Sequence, residues 1–138
     1  MHDLPRQLSA DELAELFSGP SAFVDRLAQL ENPLGRAREV ARSLTDEEKF
    51  EALATHPRIG ERSAEQHGED PAVLTELAEL NRAYEERFGF RFIVFVNRRP
   101  RAELVPVLRE RLERTRAEEL DTGLDQLVAI AEDRWRRR

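Results

Sequence analysis

Cysteine is absent from all 138 residues of the sequence. Disulfide bonds, thiolate nucleophiles and zinc or iron–sulfur sites with cysteine ligands are therefore excluded. A chain without cysteine fits a reducing compartment. We also find no apolar run long enough for a membrane span and no signal-peptide core near the start. These observations predict a cytoplasmic protein that has no contact with a membrane.

Positively charged residues are also fewer than negatively charged ones, with 22 Lys and Arg residues and 28 Asp and Glu residues. The net charge of −6 argues against nucleic-acid binding, which needs a basic face to attract phosphates. The six glycines are scattered and form no phosphate-binding loop. We find no His-x-x-x-His pair for a metal and no G-x-S-x-G motif for a serine nucleophile. The sequence therefore predicts no metal site.

Helical signals fill most of the chain. Capping-box pairs and cap-plus-proline pairs stand before runs of apolar residues with helical spacing. These starts are Ser9 with Glu12, Thr45 with Glu48, Thr115 with Glu118, Asn32-Pro33 and Asp70-Pro71. Pro106 falls inside one predicted helix and should kink or delay it. The pattern predicts a compact all-α bundle of seven to eight helices in a single domain, residues 1–138.

One segment departs from helical spacing. Residues 88–96, FGFRFIVFV, alternate as a β-strand does, and Gly89 disfavours a helix. No second run of this kind exists to pair with it, and an unpaired strand cannot satisfy its own backbone. We therefore predict an irregular or extended buried segment within the helical domain.

His56 is the residue best suited to chemistry. Imidazole transfers protons near neutral pH, and His56 stands before Pro57 at the predicted end of a helix. The competing interpretation is a histidine that only caps the helix by bonding a carbonyl oxygen. From spacing alone the capping interpretation is the simpler one.

The motifs considered together resemble those of the 2-oxo-4-hydroxy-4-carboxy-5-ureidoimidazoline (OHCU) decarboxylase family. The matching stretches are His56-Pro57-x-Ile59-Gly60, Glu65-Gln66, Leu80-Asn81-x-x-Tyr84, Phe88-Gly89-Phe90-x-Phe92-Ile93 and Ile130-Ala131-x-x-Arg134. Their order and spacing extend over nearly the whole chain. The FGF-x-FI element beside Asn-x-x-Tyr is the most specific of them.

The resemblance implies a cofactor-free enzyme of urate breakdown that converts OHCU to (S)-allantoin by loss of CO2. It implies that His56 is the essential acid/base and that Glu65 is its catalytic partner, holding the substrate hydroxyl. The family fold is all-α and often dimeric, so a homodimer is compatible with the resemblance. The residues that it assigns to substrate binding are Pro57, Arg62, Ser63, Ala64, Gln66, Phe92, Ile93, Val94, Phe95, Val96 and Arg134.

Three departures from the family pattern leave alternatives open. One is at the serine that normally stands three residues before the glutamate, which Arg62 replaces, with Ser63 shifted by one place. The loop from Glu61 to Ala64 is shorter than usual, and Arg91 replaces the proline of the FGF-Pro-F element. A shortened loop is compatible with a decarboxylase or hydrolase that acts on a related ureido-ring substrate. The other alternative is a non-enzymatic helical module whose aromatic segment binds a partner helix. That module predicts that His56 and Glu65 lie apart.

Overall fold

The computed structural model describes residues 7–57 and 70–137, which form seven α-helices and contain no β-strand. In chain order the helices are α1 (Ala10–Leu16), α2 (Ala22–Leu27), α3 (Pro33–Ser43), α4 (Asp46–Ala54), α5 (Pro71–Phe88), α6 (Arg101–Leu112) and α7 (Arg116–Arg136). The predicted all-α bundle is thereby confirmed. Among these helices, none combines the length and the apolar character needed to cross a membrane.

Helices α1, α4 and α7 begin where their capping boxes predict. In α4, the Thr45 hydroxyl accepts a hydrogen bond from the Glu48 amide at 3.2 Å, and the Glu48 carboxylate accepts one from the Thr45 amide at 3.0 Å. The pair Thr115 and Glu118 repeats this arrangement at α7. The backbone amide bond to each carboxylate holds the pKa of Glu48 and Glu118 below 4.5, because it stabilises the charged form.

Two local predictions differ from the structure. Asn32 does stand at the start of α3, but its backbone is left-handed (φ 52°) and its side chain makes no cap hydrogen bond. Pro106 does not delay α6, which begins directly after Pro100 and continues to Leu112. Pro106 lies on the exposed face of α6, where water can solvate the carbonyl oxygen that the missing proline N–H leaves without a helical donor.

The helices surround one continuous cluster of buried apolar side chains. Helix α7 packs against α1, α3 and α4, and α5 packs against α6. Gly123 of α7 faces the Leu53 side chain of α4. Because α1 and α4 both pack against α7, the ends of these three helices can place side chains at a common point.

Residues 89–100 connect α5 to α6 without regular structure. Gly89 ends α5 in the left-handed conformation (φ 80°) that glycine adopts without steric cost. Phe90, Phe92, Ile93 and Val94 are then buried in succession. The irregular buried segment predicted at 88–96 is thus confirmed, apart from Phe88, which is the last residue of α5.

Side chains supply hydrogen bonds to this segment that a neighbouring strand would otherwise supply. The Phe95 amide donates to Gln126 Oε1 of α7 at 2.8 Å, and Ile93 O accepts from Arg111 of α6 at 2.7 Å. Arg99 donates to the Phe95 and Val96 carbonyl oxygens at 2.7 and 3.0 Å. Burying unpaired backbone groups is costly, so these bonds are what allow an extended segment inside a helical domain.

A buried ionic network fixes the position of this segment. Glu119, which is fully buried, accepts hydrogen bonds from Tyr84 and Arg111 at 2.7 Å each and from Arg114 at 2.9 Å. The Arg111 guanidinium also lies over the Phe92 ring, 4.4 Å from its centroid. Burial raises the pKa of the Tyr84 phenol and the hydrogen bond to Glu119 raises it further, so the phenol stays neutral and donates. Helices α5, α6 and α7 are therefore linked by hydrogen bonds to the Glu119 carboxylate.

We expect Glu119→Gln to destabilise the fold strongly. The amide cannot neutralise Arg111, whose side chain is 7% exposed, and an unpaired buried charge costs about 3–5 kcal/mol. Urea unfolding of the wild type and the variant measures this loss. The neighbouring Glu118→Gln is the matched control, because exposed Glu118 keeps a capping hydrogen bond as glutamine and should lose less than about 1 kcal/mol. Equal losses from both variants would contradict the role assigned to Glu119.

Candidate active site

A cavity of about 250 Å³ lies where the end of α4, the segment after Phe92 and the last turns of α7 come together. One part of its wall is apolar and includes Val94, Val96 and Ile130, and another part carries charged and polar side chains. The lining residues are His56, Val94, Phe95, Val96, Asn97, Arg98, Ile130, Asp133, Arg134 and Arg137. A small concave site with a few convergent polar groups is typical of a small-molecule binding site.

Hydrogen bonds at the end of α4 determine where His56 lies. The Thr55 hydroxyl donates to Ala52 O at 2.8 Å and to Phe17 O at 3.2 Å, which ties the end of α4 to the end of α1. The His56 amide donates to Leu53 O at 3.3 Å, so the chain makes one further turn beyond α4. His56 therefore lies beyond the end of α4, where it lines the cavity.

Arg91 secures the same turn from the other side. Its guanidinium donates to Ala54 O at 2.9 Å and to His56 O at 2.6 Å. These carbonyl oxygens belong to a helix C-terminus, where a cation is favoured by the helix dipole. Arg91 stands where the family resemblance places a proline. The structure therefore gives this departure a physical role, which is to attach the segment at 89–100 to the residue that carries the imidazole.

The imidazole itself is held by Ser18, a residue that the sequence analysis missed. Ser18 Oγ lies 3.2 Å from His56 Nδ1, and Arg134 donates to the same oxygen at 2.7 Å. Arg134 also donates to Leu16 O at 2.9 Å. The only local signal at Ser18 is its place before Gly19-Pro20, which indicates a turn but gives no indication of contacts 38 and 116 residues away.

Five of the predicted site residues line the cavity together: His56, Val94, Phe95, Val96 and Arg134. Phe92 and Ile93 do not line it; their side chains are buried in the core. Pro57 is half-buried beside His56 and is not among the lining residues. The remaining five, Arg62, Ser63, Ala64, Glu65 and Gln66, lie outside the described residues.

The charged wall favours an anionic ligand. Among the described residues, Arg98, Arg134 and Arg137 line the cavity with one acidic residue, Asp133, which accepts a hydrogen bond from Arg137 at 2.7 Å. Arginine side chains are planar donors that match the geometry of carboxylates. Over residues 7–57 and 70–137, no group of three His, Asp or Glu side chains is arranged to hold a metal ion.

A comparison with known protein families identifies the family of the chain. The family model described as OHCU decarboxylase matches residues 4–136 of the chain. The chain belongs to the OHCU decarboxylase family. The family match thus covers nearly the whole chain, including every predicted site residue that the structure describes.

Two individual proteins are similar to the chain over most of its length. The chain is 30% identical over 127 residues to 2-oxo-4-hydroxy-4-carboxy-5-ureidoimidazoline decarboxylase of Haloferax volcanii, covering 83% of this chain and 72% of that protein. It is 24% identical over 147 residues to the uric acid degradation bifunctional protein of Bacillus sp. (strain TB-90), covering 91% of this chain. The chain spans only 29% of the length of that bifunctional protein.

Solved structures give the same fold. A crystal structure of OHCU decarboxylase in the presence of (S)-allantoin superposes with a TM-score of 0.76 and 28% sequence identity, covering 89% of this chain and 94% of that one. A crystal structure of (S)-allantoin synthase, at 21% identity and a TM-score of 0.72, shares the fold. The helical architecture is thus common to both structures.

We expect Arg91→Gln to lower the free energy of unfolding by about 1–3 kcal/mol, because two charge-assisted hydrogen bonds to carbonyl oxygens are lost. Urea unfolding measures the change, and hydrogen exchange of the 53–57 amides locates it. Arg82→Gln, at an exposed arginine of α5, is the matched control and should stay within about 0.5 kcal/mol of the wild type. An Arg91 variant as stable as this control would contradict the anchoring role.

Proposed function

We propose that this protein decarboxylates OHCU to (S)-allantoin in urate breakdown, without a cofactor. The observation that carries the proposal is a single cavity lined by His56, Arg134 and the apolar residues Val94 and Val96, in a chain of the OHCU decarboxylase family. The substrate named by the Haloferax volcanii relative is a small ring with a carboxylate, which suits a cavity with several arginines.

The reaction breaks the bond between ring carbon 4 and the carboxylate. The electron pair of that bond moves into the adjacent carbon–nitrogen double bond of the ring as CO2 leaves, and the ring nitrogen takes up a proton. The hydroxyl on carbon 4 then becomes a carbonyl by losing its proton, and carbon 5 gains a proton on one face. One proton must therefore be removed, and one must be delivered stereospecifically.

His56 is our candidate for these proton transfers. A hydrogen-bonding or charged imidazole stabilises the negative charge that develops on the ring, and it can deliver the proton to carbon 5. The apolar wall from Val94 and Val96 limits water near the departing carboxylate, and loss of charge from a carboxylate is favoured in an apolar setting. Arg134 supplies a cation that orients an acidic group of the substrate.

The other predicted contacts remain part of the proposal. Glu65 would hold the substrate hydroxyl, and Gln66 would pair with ureido or ring amides through its donor and acceptor. Pro57, Phe92, Ile93 and Phe95 complete the predicted set, with residues 62–64 at the edge of the pocket. The shared cavity of His56 and Arg134 favours an enzyme over an interaction module, whose discriminating residue, Glu65, lies outside the described residues.

We also propose that residues 1–138 form one OHCU decarboxylase-like domain, supported by the family match over residues 4–136 and by one continuous core. A cytoplasmic location stays a prediction based on the cysteine-free sequence.

A homodimer, which the family resemblance allows, is proposed for the protein in solution. Sedimentation equilibrium over a range of protein concentrations measures the mass of the assembly against the 16.0 kDa chain. We expect a mass near twice that of the chain. A mass that stays at one chain at all concentrations would contradict the dimer.

We expect His56→Ala and His56→Asn to lower kcat by about 100- to 10,000-fold, the usual contribution of general acid–base catalysis. OHCU is generated in situ from urate by the upstream enzymes, and circular dichroism follows the chiral product. Glu79→Gln, at an exposed residue of α5, is the control and should keep wild-type turnover. Near-normal turnover with retained S-enantiomer excess in both His56 variants would rule out the proposed proton donor.

A further inference from the structure

We propose that Arg98 is a further substrate-binding residue, whose guanidinium binds the carboxylate of the substrate at the mouth of the cavity. The proposal rests on the proposed function, because that function names the anionic ring on which Arg98 acts. No motif in the family resemblance includes Arg98, and none of the proposed proton transfers uses it.

Arg98 lies in a tight turn that directly follows the cavity wall. Arg99 N donates to Val96 O at 3.0 Å, so the residues from Val96 to Arg99 form a β-turn with Asn97 and Arg98 at its centre. Both central residues have a positive φ, 49° at Asn97 and 64° at Arg98, as in a type I′ turn. The Arg99 side chain donates to the Phe95 and Val96 carbonyl oxygens, which holds the turn against the segment that lines the cavity.

The backbone of this turn does not explain the arginine. Asn97 suits the first central position, because asparagine tolerates the left-handed conformation. The second central position favours glycine, which has no Cβ atom to clash there. Arg98 occupies that second position although residues with a Cβ atom rarely adopt a positive φ. A residue that is locally unfavourable for its backbone indicates a role for its side chain.

The Arg98 guanidinium is not engaged by the described part of the chain. Arg98 is exposed, lines the cavity and makes no hydrogen bond or ion pair with any residue within 7–57 and 70–137. By contrast, Arg137 donates to Asp133 at 2.7 Å, and Arg134 donates to Ser18 Oγ at 2.7 Å. Arg98 therefore retains its donors for a ligand.

The charge of the whole protein makes such a residue useful. The chain has a net charge of −6, so an anionic substrate is repelled at long range. A positive charge at the cavity mouth offsets this repulsion locally, and a guanidinium can bind a carboxylate through two parallel hydrogen bonds. Because Arg98 is exposed, salt should weaken its attraction for the substrate.

The chemistry of the reaction predicts which kinetic parameter depends on Arg98. The carboxylate that Arg98 binds loses its charge as CO2 leaves. The contact is therefore at least as strong in the enzyme–substrate complex as in the transition state, so it lowers KM without raising kcat. This separates Arg98 from His56, whose loss is expected to lower kcat.

The first experiment removes the charge of Arg98. At low ionic strength we expect Arg98→Gln to raise KM for OHCU by about 3- to 10-fold, without a fall in kcat. In about 0.5 M KCl the difference in KM should shrink below twofold, because salt screens exposed charges. Arg98→Lys, which keeps the charge but not the planar fork, should give a KM between those of the wild type and Arg98→Gln.

Arg82→Gln is the matched control. Arg82 is an exposed arginine of α5 that also has no partner among the described residues, and it does not line the cavity. This substitution changes the net charge equally, so it should leave KM at the wild-type value. Equal KM values for Arg98→Gln and Arg82→Gln, or a lower kcat with unchanged KM in Arg98→Gln, would overturn the role of Arg98.

Arg98→Gly separates binding from a role in the turn. This variant removes the guanidinium and gives the turn the residue that its backbone favours. We expect the same rise in KM as in Arg98→Gln, with a melting temperature at or above that of the wild type. A lower melting temperature with an unchanged KM would show that Arg98 stabilises the turn instead, and the binding role would be wrong.

The second experiment measures carboxylate binding without turnover. Orotate and uracil share one planar ring and differ by a carboxylate. In 1H–15N titrations we expect the wild type to bind orotate at least about threefold more tightly than uracil, with shifts at the backbone amides of residues 94–98. Arg98→Gln should lose this preference, and Arg82→Gln should keep it.

The two experiments separate the two proposals. A wild-type protein without OHCU turnover would overturn the proposed function, whereas the titrations would still decide whether Arg98 binds a carboxylate. A wild type that binds orotate no more tightly than uracil, or an Arg98→Gln variant that keeps the full preference, would overturn the role of Arg98.

Discussion

The extended segment between α5 and α6 imposes the constraint on which the site depends. Its backbone groups are buried without a neighbouring strand, and they need hydrogen-bond partners. Arg111 supplies one from α6, Gln126 supplies one from α7, and Arg99 supplies two from within the segment. Arg111 and Gln126 attach the segment to two different helices, and Val94 and Val96 of the attached segment line the cavity.

The Glu119 network extends the same constraint into the core. A buried carboxylate requires several donors, and it receives them from Tyr84, Arg111 and Arg114. Arg111 is shared, since it also contacts the Ile93 carbonyl oxygen and the Phe92 ring. Packing of α5, α6 and α7 and the placement of the cavity wall are therefore coupled through one side chain, although neither Glu119 nor Arg111 lines the cavity.

On the opposite wall, the geometry arises from helix ends. Carbonyl oxygens at a helix C-terminus lack helical donors, and they attract cations and hydroxyls. Arg91 satisfies the end of α4, and Arg134 satisfies the end of α1. Both arginines thereby bring charge close to His56, so the bonds that stabilise these helix ends also shape the surroundings of the imidazole.

Local chemistry was sufficient to predict the helices and the irregular segment. Capping boxes such as Thr45 with Glu48 act within one turn, and the lack of a partner strand for residues 88–96 follows from the sequence alone. His56 was found through its residue type and its motif. Ser18 was missed because its contacts join residues 38 and 116 positions apart, and no periodicity records such pairs. The motif predicts Phe92 and Ile93 as pocket residues, and only the packing shows that their side chains are buried in the core.

The sequence by itself determined which elements form and where most of them begin, because propensities and caps act locally. The proton-transfer role of His56 stays a prediction from its residue type and its motif. Only the tertiary structure decided that the ends of α1, α4 and α7 converge, that Arg91 anchors the turn at His56 and that Ser18 stands between His56 and Arg134. These are contacts between distant segments, and they form only when burial of the shared core brings the helix ends together.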